Sequence, residues 1–457
     1  MTKMAQGYQA GSQTRSAEVI VVGAGVSGLQ TAHKLQQAGI SCIVLEGSGN
    51  VGGQTFARST FNEVHHPRTY AVAKECGLID EHQPIRGKAM LEGFDAFEHD
   101  DQPALAAEDA ACLFQIQAIL DTLSKRSETS APTMTVAELV SSYGATPTVA
   151  NLANLWTRTI FGLSSNNVSA LQFLSHCASC GGLLPVLENL SSSSEELVIP
   201  EVSHKVASAL AQRLSEGTLQ LHQKVTQIDH TSSDSCMIHT ASGDVFRSTT
   251  VVLAGSLSMF GELQVCPTIT AAENWEMMRN EQGFSTTVDV VFDQAWWQDR
   301  GLSGYAHGLT GPITLVRPSG IEIDGLCSLS CQIAGEQARG MWLWLMDAEE
   351  RETLILQHLS TIFGGNIPRP VQMIEQDANP LLHGQQCLNY TCGENAAGAA
   401  TRQASWKTQG NIHISGADTS GIWRGHMEGA LTAGERTAID IVAAFGTSHA
   451  IALAPRL

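Results

Sequence analysis

Positive charge is what this chain has least of. Its 457 residues carry 26 Lys and Arg against 45 Asp and Glu, a formal net charge of −19. Such a field repels phosphate backbones and anionic bilayers, so neither nucleic acid nor a membrane is an expected partner. It favours solubility first and mildly attracts cationic small molecules second. Aromatic residues are sparse at 6%, with five tyrosines, too few to assemble a cage of rings from the sequence. No apolar run approaches the ~20 residues needed to span a bilayer, and no basic-plus-apolar leader opens the chain. The 42 glycines follow no repeat period, which excludes collagen-like and solenoid architectures. Eleven cysteines, an odd number, scatter from Cys42 to Cys392 and read as reduced thiols of a cytoplasmic protein. Cys177 and Cys180 lie in the helical pattern SALQFLSHCASCGG, as neighbours on one helix face rather than a redox pair. The ending Pro455-Arg456-Leu457 only loosely resembles an SKL-type peroxisomal address, whose first position is a small residue.

What is present is a globular composition, 43% hydrophobic and 16% charged. Residues 1–17 are polar and unpatterned, a frayed arm before the fold begins at Glu18. VIVVG (Val19 to Gly23) reads as a buried strand, Val26 to Gln37 as a helix closed by Gly39, and SCIVLE (Ser41 to Glu46) as a second buried strand, together one βαβ unit. Residues 104–125 are helical, Thr135 with Glu138 forms a capping box, and helical periodicity runs through 147–182. Short strands follow over 219–254, and residues 284–346 alternate like an antiparallel sheet. Asp347 caps a helix reaching about Phe363, and the strand NIHISG (Asn411 to Gly416) precedes a last helix around Glu428 to Ala444.

Gly23-Ala24-Gly25-Val26-Ser27-Gly28 directly follows a strand and opens a helix. The first glycine permits the tight turn, the second lets backbone approach a pyrophosphate, and the third allows close helix packing, with the helix dipole favouring the anion. Eighteen residues past Gly28, Glu46 ends the second strand, where a carboxylate accepts hydrogen bonds from both hydroxyls of an adenosine ribose. These features identify a dinucleotide site without separating NAD from FAD.

Gly52-Gly53-Gln54-Thr55 follows, and here the chain resembles flavin amine oxidases, whose acid is followed by a GGRT segment lying against the FAD diphosphate. Val168-Ser169-Ala170-Leu171 with Phe173-Leu174 and Cys180-Gly181-Gly182 resembles a helix of the monoamine oxidase branch. Ser415 to Ala438, SGADTSGIWRGHMEGALTAGERTA, resembles that family's flavin-closing motif AGTE, WSGYMEGA, AGERAA. The resemblance implies an α/β fold, a Rossmann-like FAD-binding domain interleaved with an α+β substrate domain, as in amine oxidases and glutathione reductase. It divides the chain into FAD-binding parts at 18–95, 200–270 and 380–457 and substrate-domain parts at 96–199 and 271–379. It implies FAD as cofactor, an amine as small-molecule substrate, and cofactor contacts at Val225 (adenine), Gly416, Asp418 (ribityl chain) and the Met427 N–H (pyrimidine ring). It places Trp423 and His426 at the substrate face as the catalytic candidates.

The departures are as informative. Thr287 stands where the family keeps a lysine against flavin N5, and no lysine occurs between Lys224 and Lys407. His426 replaces one cage tyrosine, the other cage position falls at Leu388 or Tyr390, and Gln54 replaces the GGRT arginine. The GGS/Y-type segment is absent between Phe61 and His66, and Pro200-Glu201 replaces a glycine pair. Cys387 and Cys392 both lie in the loop where monoamine oxidases attach FAD covalently, and non-covalent members are common. Three readings follow from the resemblance: an oxidase taking hydride from a carbon next to nitrogen with oxygen as acceptor, a desaturase or cyclase for a larger natural product, or a flavin-free relic that binds.

Overall fold

The computed structural model describes residues 14–53, 60–79, 86–99, 101, 103–126, 134–191, 197–198, 202–255, 263–268, 283–318, 325–343, 347–375 and 408–446. The fold is α/β. Strand Val19–Val22 is buried at every position because parallel neighbours flank it on both sides, Thr250–Ala254 and Cys42–Leu45, and helices cover the sheet. Leu219–Gln220 extends the sheet beyond Cys42–Leu45, and Ile412–Ser415 with Thr408–Gln409 completes it beyond Thr250–Ala254, giving six strands. The chain's early strand thus reaches its late one through a single intervening strand.

The helices close the same circuit. Val26–Gln37 packs against the terminal helix Met427–Phe445 at a point where glycine is required. A Cβ on Gly434 would stand 2.6 Å from the Ser27 carbonyl oxygen. The Ser27 and Ser415 hydroxyls meet at 2.6 Å, and Thr31 Oγ1 donates to the Gly434 carbonyl at 3.3 Å. Val26, Leu29, Ala430, Leu431 and Ile441 share one apolar core across this contact.

A second six-stranded sheet runs Gln372–Glu375, Ser285–Phe292, Cys327–Ala334, Ile313–Pro318, Leu302–His307, Lys88–Leu91. On one face Val288, Val290, Leu329, Cys331, Ile333 and Val316 pack with Ile355 and Leu359 of the helix Ala348–Ile362. That helix is opened by the Asp347/Glu350 capping box. The opposite face looks toward a layer of helices (Ala107–Ser124, Val136–Ser142, Pro147–Phe161, Ala170–Ser179, Leu183–Leu190) with its own apolar core. Gln332 Nε2 crosses to the Thr159 carbonyl at 3.0 Å. No single described helix is long and apolar enough to cross a membrane.

Three expectations are corrected. Arg15–Ser16 pairs in parallel with Val245–Ser248, so sheet pairing begins before Glu18 and the arm does not extend to residue 17. Lys88–Leu91, expected in the FAD-binding part 18–95, is the edge strand of the second sheet, drawn there by its ladder with Leu302–His307. Alternation does not persist to residue 346: Gly335, at φ +98, ends the strand and Glu336–Leu343 is a helix.

Glu428 ties the parts together. Its carboxylate is buried, with the residue 1% exposed, and accepts the N–H of Thr69 at 2.8 Å, the Thr69 hydroxyl at 3.0 Å and the N–H of Arg68 at 3.2 Å. It therefore caps the helix Pro67–Glu75, whose own N-cap residue, His66, supplies no side-chain cap. Arg68 Nε donates to Glu435, two turns further along the same face of the terminal helix, at 2.9 Å. Replacing Glu428 with Ala orphans two amides, and we expect a loss of about 2 to 3 kcal/mol in denaturant unfolding, with Glu428→Gln recovering part of it.

Candidate active site

The glycine turn separates into two kinds of position. Gly23 adopts φ +106, and a Cβ there would collide with the Ala254 carbonyl. A Cβ on Gly28 would collide with the Gly23 carbonyl and approach Ala254 Cβ to 2.9 Å. Both are demanded by the protein's own packing. Gly25 is not: its φ is −69, and a Cβ there meets nothing within 4 Å. The helix that Gly25 opens has no side-chain cap, so open space lies beside uncapped amides.

The surrounding residues enclose that space. Glu46 Oε2 accepts the Ala24 N–H and its Oε1 the Ser48 N–H, both at 2.8 Å, which fixes the carboxylate beside the turn. The Gly52 N–H donates to the Ala24 carbonyl at 2.9 Å, and Gly53 sits so close that its Cβ would lie 3.3 Å from Gly25 Cα. The backbones of His222 and Gln223 bond to Ser48 and Glu46, leading directly into Val225. Val225 packs with the core beneath Val22 and Leu45. Gln54, Thr55, Cys387, Leu388, Tyr390, Cys392, Pro200 and Glu201 lie outside the described residues.

At the same C-terminal edge of the sheet, two strands over from Val19–Val22, Gly416 follows strand Ile412–Ser415, where a Cβ would strike the Gly255 carbonyl. Asp418 lies half-buried in the single turn Ala417–Thr419. Met427 is the first residue of the terminal helix, and its N-cap residue, His426, offers no side-chain cap. Trp423 holds the left-handed conformation at φ +43, uncommon for a large side chain. Its N–H donates to the Ser179 carbonyl at 2.9 Å, docking the turn onto the helical layer.

Around Trp423 lies a group of imidazoles whose convergence the sequence did not disclose. The His66 ring centroid is 4.2 Å from that of Trp423, and His426 meets Trp423 edge to face at 5.1 Å. His176 stacks on His426 at 5.8 Å. The ligand atoms of His176, Cys180 and His426 lie within 4.8 Å of one another, but burial pushes the Cys180 thiol up to about 12. Cys177 is likewise buried and its pKa is raised, so neither thiol is poised for exchange. His66 falls to about 3 through burial and its imidazole neighbours. His426 falls to about 4 through burial and the nearby Arg317 charge. His426 is therefore neutral at pH 7.

A profile of flavin containing amine oxidoreductases matches residues 26–442. The chain belongs to that family. It is 22% identical to the probable flavin-containing monoamine oxidase A of Dictyostelium discoideum, over 93% of this chain and 97% of that protein. It is 24% identical to amine oxidase B of Rattus norvegicus, over 94% and 86%. Putrescine oxidase bound to putrescine has the same fold, at a TM-score of 0.83 and 20% identity, covering 94% of this chain and all (100%) of that one. Cyclohexylamine oxidase from Brevibacterium oxydans gives a TM-score of 0.80 at 20% identity, covering 94% and 99%.

The cofactor of this flavoprotein family is FAD, and the residues present fit it. The open face of Gly25, the fixed Glu46 carboxylate and two uncapped helix N-termini are features that packing alone does not require. His65, His66, His176 and Glu428 escaped the sequence reading. Glu428 was visible only as part of a motif, and no periodicity marks two histidines ahead of Pro67.

Two outcomes test the site. Gly25→Ala should leave the apoprotein within about 1 kcal/mol of wild type, since it meets open space, while weakening FAD binding at least about tenfold. Gly28→Ala should lower both, as read by apoprotein melting and flavin fluorescence titration. The second concerns pH. His307, like His426, falls to about 4, and both lie well below the ordinary 6.5. The folded state refuses protons that the unfolded chain accepts, so this stability is full above pH 6.5 and is lost as pH falls toward 4. Each imidazole contributes a slope of at most about 1.4 kcal/mol per pH unit, and melting of a His307→Asn, His426→Asn double variant should fall less steeply on acidification.

Proposed function

We propose that this protein oxidises a small amine at the carbon next to nitrogen, giving an imine or iminium, with oxygen as the final acceptor. The observation that carries this reading is the close packing of the helix that Gly25 opens against the terminal helix, where Gly434 lies over the Ser27 carbonyl, together with the Ser27–Ser415 contact at 2.6 Å. When bound, FAD supplies the hydride acceptor. Gly23 to Gly28 and Glu46 would hold its dinucleotide end. The terminal helix would direct its positive end, from Met427, toward charge that develops at the pyrimidine end.

The chain's side chains orient rather than exchange protons. Hydride loss requires the amine nitrogen to be neutral, and buried surroundings of uncharged His426, His66 and His176 rings would favour the neutral form by withholding solvent. Trp423 fixes the position of His426 by edge contact. His426, at about 4, is a neutral polar ring beside Trp423 and does not serve as a base near neutrality. At the lysine position Thr287 lies on strand Ser285–Phe292, opposite Gln332. A neutral hydroxyl there removes one source of positive charge for reoxidation by oxygen.

The loss of that lysine and of the cage tyrosine supports a second reading, a tailoring enzyme for a larger nitrogenous substrate. Anaerobic mixing decides. The isolated protein should be yellow and should bleach with small amines, and oxygen should restore the colour. A yellow protein that small amines never bleach selects the second reading. One that stays colourless with added FAD overturns both.

A further inference from the structure

The second sheet has two unlike faces. Residues Val288, Val290, Leu329, Cys331 and Val316 turn one way, into the apolar core against the helix Ala348–Ile362. Strand alternation sends Thr287, Asp289, Ser330, Gln332 and Arg317 the other way, toward the helical layer that holds Trp423 and His176. Register sets Asp289, Ser330 and Arg317 opposite one another on three adjacent strands. Arg317 is the cation on this face. Its Nη2 donates to the Asn189 carbonyl at 3.2 Å at the end of a helix, and its Cζ lies 6.0 Å from the Tyr305 ring centroid. Its Nε is buried without a hydrogen-bond partner, and among the described residues no carboxylate pairs with it.

A guanidinium with no carboxylate partner among the described residues is unusual in a chain with 45 acidic residues. Its charge bears on two imidazoles, depressing both His307 and His426 after burial has done so. Those imidazoles are neutral and supply no anion. A planar fork of donors with one buried nitrogen unpartnered, beside neutral imidazoles, is complementary to one ligand group above others, a carboxylate held by two parallel hydrogen bonds.

We propose that Arg317 anchors a substrate carboxylate, so that the amine oxidised in this cavity belongs to an amino acid. The assignment rests on the amine-oxidising reading for its consequence but not for its binding step.

The test uses the flavin-loaded protein and two variants, Arg317→Gln and Arg317→Lys. Benzoate and propionate, carboxylates without an amine, are titrated while the flavin spectrum is followed. Both should perturb the wild-type spectrum, Arg317→Gln should weaken that binding at least tenfold, and Arg317→Lys should recover part. Turnover is then compared within matched pairs, phenylalanine against phenethylamine and ornithine against putrescine. The acid should be preferred by wild type, and the acid-to-amine ratio of kcat/KM should fall at least tenfold in Arg317→Gln, mostly through KM. Equal carboxylate binding by wild type and Arg317→Gln, or none by wild type, overturns the proposal. If carboxylates bind through Arg317 yet no amine or amino acid bleaches the flavin, the anchor stands and the oxidase reading falls.

Discussion

Everything in this molecule depends on how closely two helices approach. Val26–Gln37 and Met427–Phe445 meet where Gly434 leaves no room for a side chain over the Ser27 carbonyl. That contact holds the terminal helix against the helix that Gly25 opens. A wider separation would leave the glycine turn and the Trp423 to Met427 segment on opposite sides of a gap. The site is therefore a product of backbone sterics before it is a product of side-chain chemistry.

The first βαβ unit was legible because its signals are local. A strand buried on both faces reads as an apolar run, a helix as a periodic one, and the glycines that join them have steric duties the structure confirms at Gly23 and Gly28. The capping boxes at Thr135 and Asp347 were legible for the same reason, being contained within four residues. Sheet membership was not. Lys88–Leu91 falls inside the span 18–95 that the resemblance implies for FAD binding, and its partner lies more than two hundred positions away, beyond the reach of any local signal. Glu336–Leu343 was misread because apolar residues in a short stretch fit either period.

The site was legible as a cofactor cradle and much less so as a chemical environment. Motif spacing leads to Gly25, Glu46 and Met427, since backbone contacts are a property of turn geometry. The ionisation of His426 follows from burial and from Arg317, more than a hundred residues away, and neither can be read from a motif. A histidine in place of a tyrosine invites a proton-exchanging role, since an imidazole ordinarily titrates near neutrality. Its surroundings instead hold it neutral, which makes it a polar wall.

The bond network at Glu428 has a consequence for assembly. The helix Pro67–Glu75 leaves the ribosome early but receives its cap from a residue 359 positions later. At roughly 5 to 20 residues per second, synthesis keeps those amides waiting about 20 to 70 seconds. Until then the nascent nucleotide-binding lobe lacks both a neighbouring strand at Ile412–Ser415 and the helix that braces its first turn. Vulnerability to chaperones, proteases and premature stops should thus be concentrated in that interval, and cofactor capture should be an event of the finished chain.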